Sequence, residues 1–276
     1  MAEIDADAFN TFEAAGWEAK AAGYDHFFGA FTSRLVDPLL DAAEVGPGVR
    51  TLDVASGPGY VASKAAERGA SVVGVDIAEA MTALAGRLHP QLEFVQGDAQ
   101  ELPFTDGSFD AVVGNFALLH LGRPEQAAAE FVRVLKPAGR LALTVWDAPE
   151  QARFLGVFLD AVAAAGASPP EDIPHGPPFF RFSDEQEFTR LLSDQQLEDV
   201  QVRTISFSHS FGSPSEYWDG LLGGTVRVSA VVFGQSEEVQ REIRAAFDRL
   251  VEPYVVDERL ELPVSVKLAS GRTSSA

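Results

Sequence analysis

Between residues 50 and 146 the chain alternates short apolar runs with stretches of helical character, and this alternation restricts the fold more than any other feature. Strands are expected at 50–55, 71–76 ("SVVGVD"), 92–98 ("LEFVQGD"), 109–118 and 140–146 ("RLALTVW"). Helices are expected at 59–68, closed by Gly69, at 78–88, and at 124–135, ending at "KPAG". Short apolar strands separated by helices imply βαβ units, hence a parallel sheet covered on both faces. Right-handed crossovers make such a sheet doubly wound.

The flanking segments are read less regularly. Residues 7–44 look helical, with glycines at 16, 23 and 29 expected to break them into pieces before the "VGPG" punctuation at 45–48. After 151 come a helix to 165, a proline-rich loop dense in aromatics, and "SDEQEFTRLLSD", which opens as a capping box on Ser183 and Gln186. A long strand at 197–208, helices at "PSEYWDGLLG" and 236–252, and a last strand "RLELPVSVKLASGR" complete the pattern, with a frayed "SGRTSSA" tail. The expectation is an α/β fold with a doubly wound, mostly parallel, seven-stranded sheet. Its parts are an N-terminal helical lid (1–45), a ligand-binding core (46–150), and a remainder with substrate-pocket inserts (151–276), all in one continuous domain.

"TLDVASGPGY" (51–60) runs from the first strand through a glycine turn into a helix. Gly57, Gly59 and Ala62 fit G-x-G-x-x-A, the fingerprint of dinucleotide sites. Asp53 argues against a phosphate there, since two like charges in a partly desolvated cleft cost several kcal/mol at an effective dielectric of ~20. A cationic ligand suits it better, and S-adenosylmethionine carries an amino group, a sulfonium and no phosphate. The alternative is that Asp53 only caps the turn. Asp76 ends the second strand, where an acid can accept from ribose hydroxyls. With Asp98 it completes three acids at successive strand ends, along the edge where open α/β sheets bind ligands. Asn115 and Phe116 end the fourth strand, where a reaction centre would lie.

"TLDVASGPGY", "VVGVDIAEAM", "VQGDAQELPF", "FDAVVGNFALLHL" and "RVLKPAGRLALTVW" together resemble the class I S-adenosylmethionine-dependent methyltransferases, a Rossmann-like family. They are most similar to the branch holding the ubiquinone/menaquinone-biosynthesis and small-molecule enzymes. The resemblance covers about a third of the chain, and implies that Asp53, Ala55, Gly57 and Gly59 line the methionine and ribose side. It implies Asp76 on the ribose, Ile77 and Met81 on the adenine, Asp98 and the Ala99 amide at the adenine edge, and Asn115 and Phe116 at the methionine end. Two positions depart from the pattern: Ala55 and Ala138 stand where the family often has glycine. The implied reaction is methyl transfer to a small, hydrophobic or aromatic acceptor, quinone-like or a secondary metabolite. A nicotinamide-dependent oxidoreductase and a non-catalytic cofactor-binding module are the competing readings.

If the acceptor must lose a proton a base is needed, and His120, just after the fourth strand, is the candidate, ahead of His26, His175 and His209. Tyr24 is expected to reach the cofactor's carboxylate from the lid, and Phe28, Phe179, Phe182 and Trp218 to face the substrate. A formal charge of −20 argues against nucleic acid as a partner. The absence of cysteine removes thiolate chemistry, and no metal site is expected. No run reaches the ~18 apolar residues of a membrane span. A cytoplasmic protein is expected, with a homo-oligomeric state left open.

Overall fold

The computed structural model describes residues 4–275. Strands β1 (Arg50–Val54), β2 (Ser71–Asp76), β3 (Glu93–Gln96), β4 (Phe109–Asn115) and β5 (Leu135–Trp146) lie parallel, linked by helices α3 (Tyr60–Glu67), α4 (Glu79–Leu88) and α5 (Pro124–Val134). Beyond β5 the chain adds β6 (Glu198–Phe211), a two-residue β7 (Val255–Val256) and β8 (Arg259–Arg272). The order is β3-β2-β1-β4-β5-β8-β6, with β8 antiparallel to both neighbours and β7 paired to the start of β8. Seven strands form the main path, as expected from the five alternating strands and the two later ones, and β7 makes an eighth. Residues 52–54 of β1 and 111–114 of β4 are buried on both faces, which is why these strands read as mainly apolar runs, interrupted in β1 only by Asp53.

The strand order reverses between β1 and β4, so the crossovers leave in opposite directions there and a crevice opens at the strands' carboxyl ends. This crevice is covered by α1 (Ala6–Thr32), one continuous 27-residue helix capped by the Asp5 carboxylate, which accepts from the Ala8 amide at 3.0 Å. The glycines at 16, 23 and 29 do not break it. They are instead where the helix is approached most closely. A Cβ on Gly23 would stand 2.3 Å from the Gly223 carbonyl oxygen at the end of α8 (Pro214–Gly224), and one on Gly16 would stand 2.3 Å from Val226 Cγ1. A short 3₁₀ turn and α2 (Val36–Ala42) carry the chain on to β1.

Helices α6 (Arg153–Ala164), α7 (Glu185–Asp194) and α10 (Glu237–Val251) complete the shell. The N-cap of α7 is Asp184, whose carboxylate accepts from the Gln186 and Glu187 amides, and not Ser183, which belongs to the preceding 3₁₀ turn. Helix α9 (Arg227–Phe233) lies in a valine-rich stretch whose composition favours a strand, so its pattern gave no signal. The expected fraying of the C-terminal segment does not begin at Ser270: Ser270–Arg272 pair within β8, and Thr273 bonds to Gly139.

Candidate active site

Both alanines that replace family glycines adopt left-handed backbone, at φ +51° for Ala55 and +59° for Ala138. The glycine turn therefore keeps its shape, at the steric cost a Cβ brings in that region. Gly57 (φ +50°) turns its amide onto Asp76 Oδ2 at 2.8 Å, while Oδ1 accepts from the Ala78 amide at 3.0 Å. Asp53 is buried at the end of β1 and accepts from the Ala62 amide in the first turn of α3 at 3.0 Å. Gly59 (φ +84°) is the N-cap of that helix.

One cavity occupies the crevice, and its lining residues fall into two sets by chemistry, a polar set at the strand ends (the first lobe) and a mainly aromatic set (the second). Ala55, Gly57, Asp76, Ile77, Met81 and Asp98 line the first, with Ala99 beside them and the Tyr24 ring above Gly57. Asn115 and Phe116, at the carboxyl end of β4, line the same cavity. Asn115 is fixed by Thr144 Oγ1 at 2.7 Å and reaches the Thr32 carbonyl at 3.3 Å. Phe116 is left-handed (φ +60°) and stacks on Trp146 at 4.5 Å. A bulky residue in that region is strained, and strain of this kind concentrates at functional sites.

The second lobe is walled by Trp17, Phe28, Trp146, Leu155 and Phe179, with Glu13, His120 and Arg227 as its polar group. Glu13 and Arg227 gave no sequence signal, because they lie over two hundred residues apart on separate helices and match no motif. Glu13 is 2% exposed. Its carboxylate takes hydrogen bonds from Trp17 Nε1 at 3.0 Å and His120 Nδ1 at 2.9 Å. Arg227 Nε stands 2.9 Å from Glu13 Oε1 but out of line, so both atoms are buried without a hydrogen-bond partner.

Several sequence expectations are redirected. Asp53 and Gly59 do not line the cavity; they hold the turn and the start of α3. Asp76, not Asp53, lines the cavity with its carboxylate, and Asp53 contributes from behind. Phe182 packs in the core with Phe188, and Trp218 packs against Phe158 and Phe247, so neither faces the cavity. His26, His175 and His209 lie outside it as well.

The electrostatics favour a cation in the first lobe. Burial raises the carboxyl of Asp53 to about 8, the nearby Asp76 adding to the effect against the Ala62 hydrogen bond. Burial likewise raises Asp76 to about 6, against hydrogen bonds from the Ala78, Gly57 and Ile77 amides. Burial, with the charges of Asp76 and Asp53, pushes the Tyr24 hydroxyl up to about 12. A ligand bringing positive charge would favour the ionised form of both carboxyls. A pyrophosphate would disfavour it. Donor amides, a left-handed glycine and two carboxylates lacking a counter-ion fit a sulfonium nucleoside.

Residues 52–143 match the family described as "Methyltransferase domain". The demethylmenaquinone methyltransferase of Renibacterium salmoninarum is 33% identical over 176 residues, covering 61% of this chain and 74% of that protein. An uncharacterised protein of Mycobacterium tuberculosis is 33% identical over 230 residues, 81% of each chain. Among solved structures, the phosphoethanolamine N-methyltransferase 2 of Haemonchus contortus, in complex with phosphomonomethylethanolamine and S-adenosylhomocysteine, superimposes with a TM-score of 0.58. It is 18% identical, covering 96% of this chain and 60% of that one, and shows the shared fold. The chain belongs to the class I S-adenosylmethionine-dependent methyltransferases, in the branch of the menaquinone enzymes. It transfers a methyl group from S-adenosylmethionine, and the nicotinamide reading is not favoured.

Proposed function

We propose that the first lobe holds the methyl donor and the second a small aromatic acceptor of the quinol type. In this reading Asp76 accepts from the ribose hydroxyls, Ile77 and Met81 sandwich the adenine, and Asp98 with the Ala99 amide meets its edge. Gly57 and Ala55 give the backbone approach along the methionine, and Asn115 and Phe116 stand at its reactive end. Tyr24 covers the methionine carboxylate from α1. Asp53 acts at one remove, by fixing the start of α3. Residues 1–45 serve as the lid, 46–150 as the donor-binding core, and 151–276 as the rest of the sheet with the acceptor wall.

The observation that supports the acceptor class most is the aromatic set lining the cavity, Trp17, Phe28, Trp146 and Phe179, with Glu13, His120 and Arg227 as its polar group. Flat rings suit such walls, and a hydroxyl or carbonyl suits the polar end. The relatives named as demethylmenaquinone methyltransferases point the same way. When bound, the donor supplies the electrophile, and the protein's work is to align the two partners and exclude water. The test is production of S-adenosylhomocysteine with a short-chain 2-prenyl-1,4-naphthohydroquinone, compared with amine and carboxylic-acid acceptors. Turnover restricted to the amines or acids would reject the quinol class. Calorimetric binding of S-adenosylhomocysteine without binding of NADH is expected alongside.

A further inference from the structure

We propose that Glu13, His120 and Arg227 form a proton-accepting unit in the acceptor lobe, with His120 Nε2 as the base, Glu13 as its positioning residue and Arg227 as the cation that holds the resulting oxyanion. This rests on the assignment of the second lobe to the acceptor. Three elements converge to build the unit: Glu13 comes from α1, His120 from the 3₁₀ turn after β4, and Arg227 from the start of α9. Among the described residues no other charged group faces the imidazole. With Nδ1 engaged by the Glu13 carboxylate, the ring is fixed in the tautomer whose Nε2 carries the lone pair. Nε2 makes no hydrogen bond to a described residue, and His120 lines the cavity with 26% of its side chain accessible. Trp17 and Phe179 stand edge-on to the ring, at 4.8 and 6.5 Å, which leaves little freedom for it to turn.

The charges are arranged for proton uptake. Burial would raise Glu13, but His120, Arg227 and the Trp17 indole outweigh it and keep the carboxyl below its ordinary value, hence ionised. Burial lowers His120, partly offset by Glu13, so the ring is neutral at pH 7 and available as a base. Arg227 lies over Phe179 at 4.4 Å and donates through Nη2 to the Leu119 carbonyl, which anchors the guanidinium at the cavity wall. Its Nε is buried against Glu13 Oε1 and Nη2 is taken by Leu119, which leaves Nη1, with no hydrogen bond to a described residue, to meet an incoming acceptor oxygen.

In the step, the acceptor O–H bond breaks, its pair stays on oxygen beside Arg227, and the proton joins Nε2. The activated pair, on that oxygen or on the ring carbon conjugated with it, takes the methyl as the methyl–sulfur pair withdraws to sulfur. On the carbon route the ring C–H bond then breaks, its pair restores the aromatic ring and oxygen regains a proton, so either route releases one proton per turnover and balances the sulfonium charge that disappears.

The test is long-range proton–nitrogen NMR on the full chain with ¹⁵N-labelled histidine and saturating S-adenosylhomocysteine. His120 is expected as the Nδ1–H tautomer, titrating below an ordinary histidine. Glu13→Gln should lower that midpoint by on the order of one pH unit, and Arg227→Gln should raise it. Breaking a buried pair is costly, so if Glu13→Gln does not fold, the wild-type tautomer alone decides. An Nε2–H tautomer, or a midpoint unmoved by Glu13→Gln, overturns the proposal. Failure of the wild type to bind S-adenosylhomocysteine would instead strike the donor-site assignment and leave the tautomer result standing.

Discussion

Ala138 shows how much a single methyl costs when the backbone is left-handed. It sits in the tight turn before the body of β5, at φ +59°, with its amide bonded to the Ser274 carbonyl. An L-residue there carries about 1–2 kcal/mol of strain, against roughly 0.5–1 kcal/mol that glycine loses in unfolded-chain entropy. Strain wins, so Ala138→Gly should stabilise by about 0.5–1 kcal/mol, seen as a higher urea midpoint with unchanged S-adenosylhomocysteine affinity. At Asp76 the change runs through binding. Asp76→Ala removes charge-assisted hydrogen bonds worth roughly 1.5–3 kcal/mol and should weaken S-adenosylhomocysteine at least tenfold by calorimetry. In the wild type the same affinity should fall as the pH drops below about 6, where Asp76 takes up its proton. A pH-independent affinity would remove Asp76 from the ribose.

At the scale of elements, α1 tests the meaning of its glycines. Replacing a mid-helix glycine with alanine ordinarily gains about 1 kcal/mol in helix propensity. At Gly23 the new Cβ would meet a backbone oxygen at 2.3 Å, which no rotamer change relieves. Gly23→Ala should therefore destabilise by about 1–3 kcal/mol and expose α1 to limited proteolysis. A stabilised variant would show that α1 and α8 are not seated against each other as described. The strands from β1 to β5 were legible because each is a largely apolar run with an acid or asparagine within two residues of its end, a pattern local in sequence. The glycines of α1 were misread because close packing between distant elements looks, in sequence, like a break. The first lobe was legible for the same local reason, its residues clustering at strand ends. Glu13 and Arg227 were not, since their meaning arises only when α1 and α9 meet over the sheet.

For the molecule as a whole, the donor site is a source of instability until it is filled. Asp53 and Asp76 have folded-state values above the unfolded 3.8, so the native state holds protons that the unfolded chain has released. Their contribution is present below pH 4 and is lost as the pH rises through about 6 and then about 8. Saturating S-adenosylhomocysteine should flatten that loss, and Asp53→Asn should flatten its upper part without ligand, both read as urea midpoints at pH 5 and pH 8. The overall charge of −20 adds self-repulsion that also grows with pH. Salt screens that term much more than the buried pair, so the Asp53→Asn difference should persist at high ionic strength.

Helix α1 places Tyr24 over the first lobe, proposed for the donor, and Glu13, Trp17 and Phe28 along the second, proposed for the acceptor, while Glu18 holds the Ala80 amide and Lys20 the Leu222 carbonyl on either side. One helix thus belongs to both halves of the bisubstrate problem. Broadening the acceptor range by trimming Trp17 or Phe28 would loosen the seat of the same helix over the donor. Evolution of new acceptor scope in this scaffold is therefore tied to donor affinity, and the freer route to new chemistry runs through the wall contributed by α6 and α9.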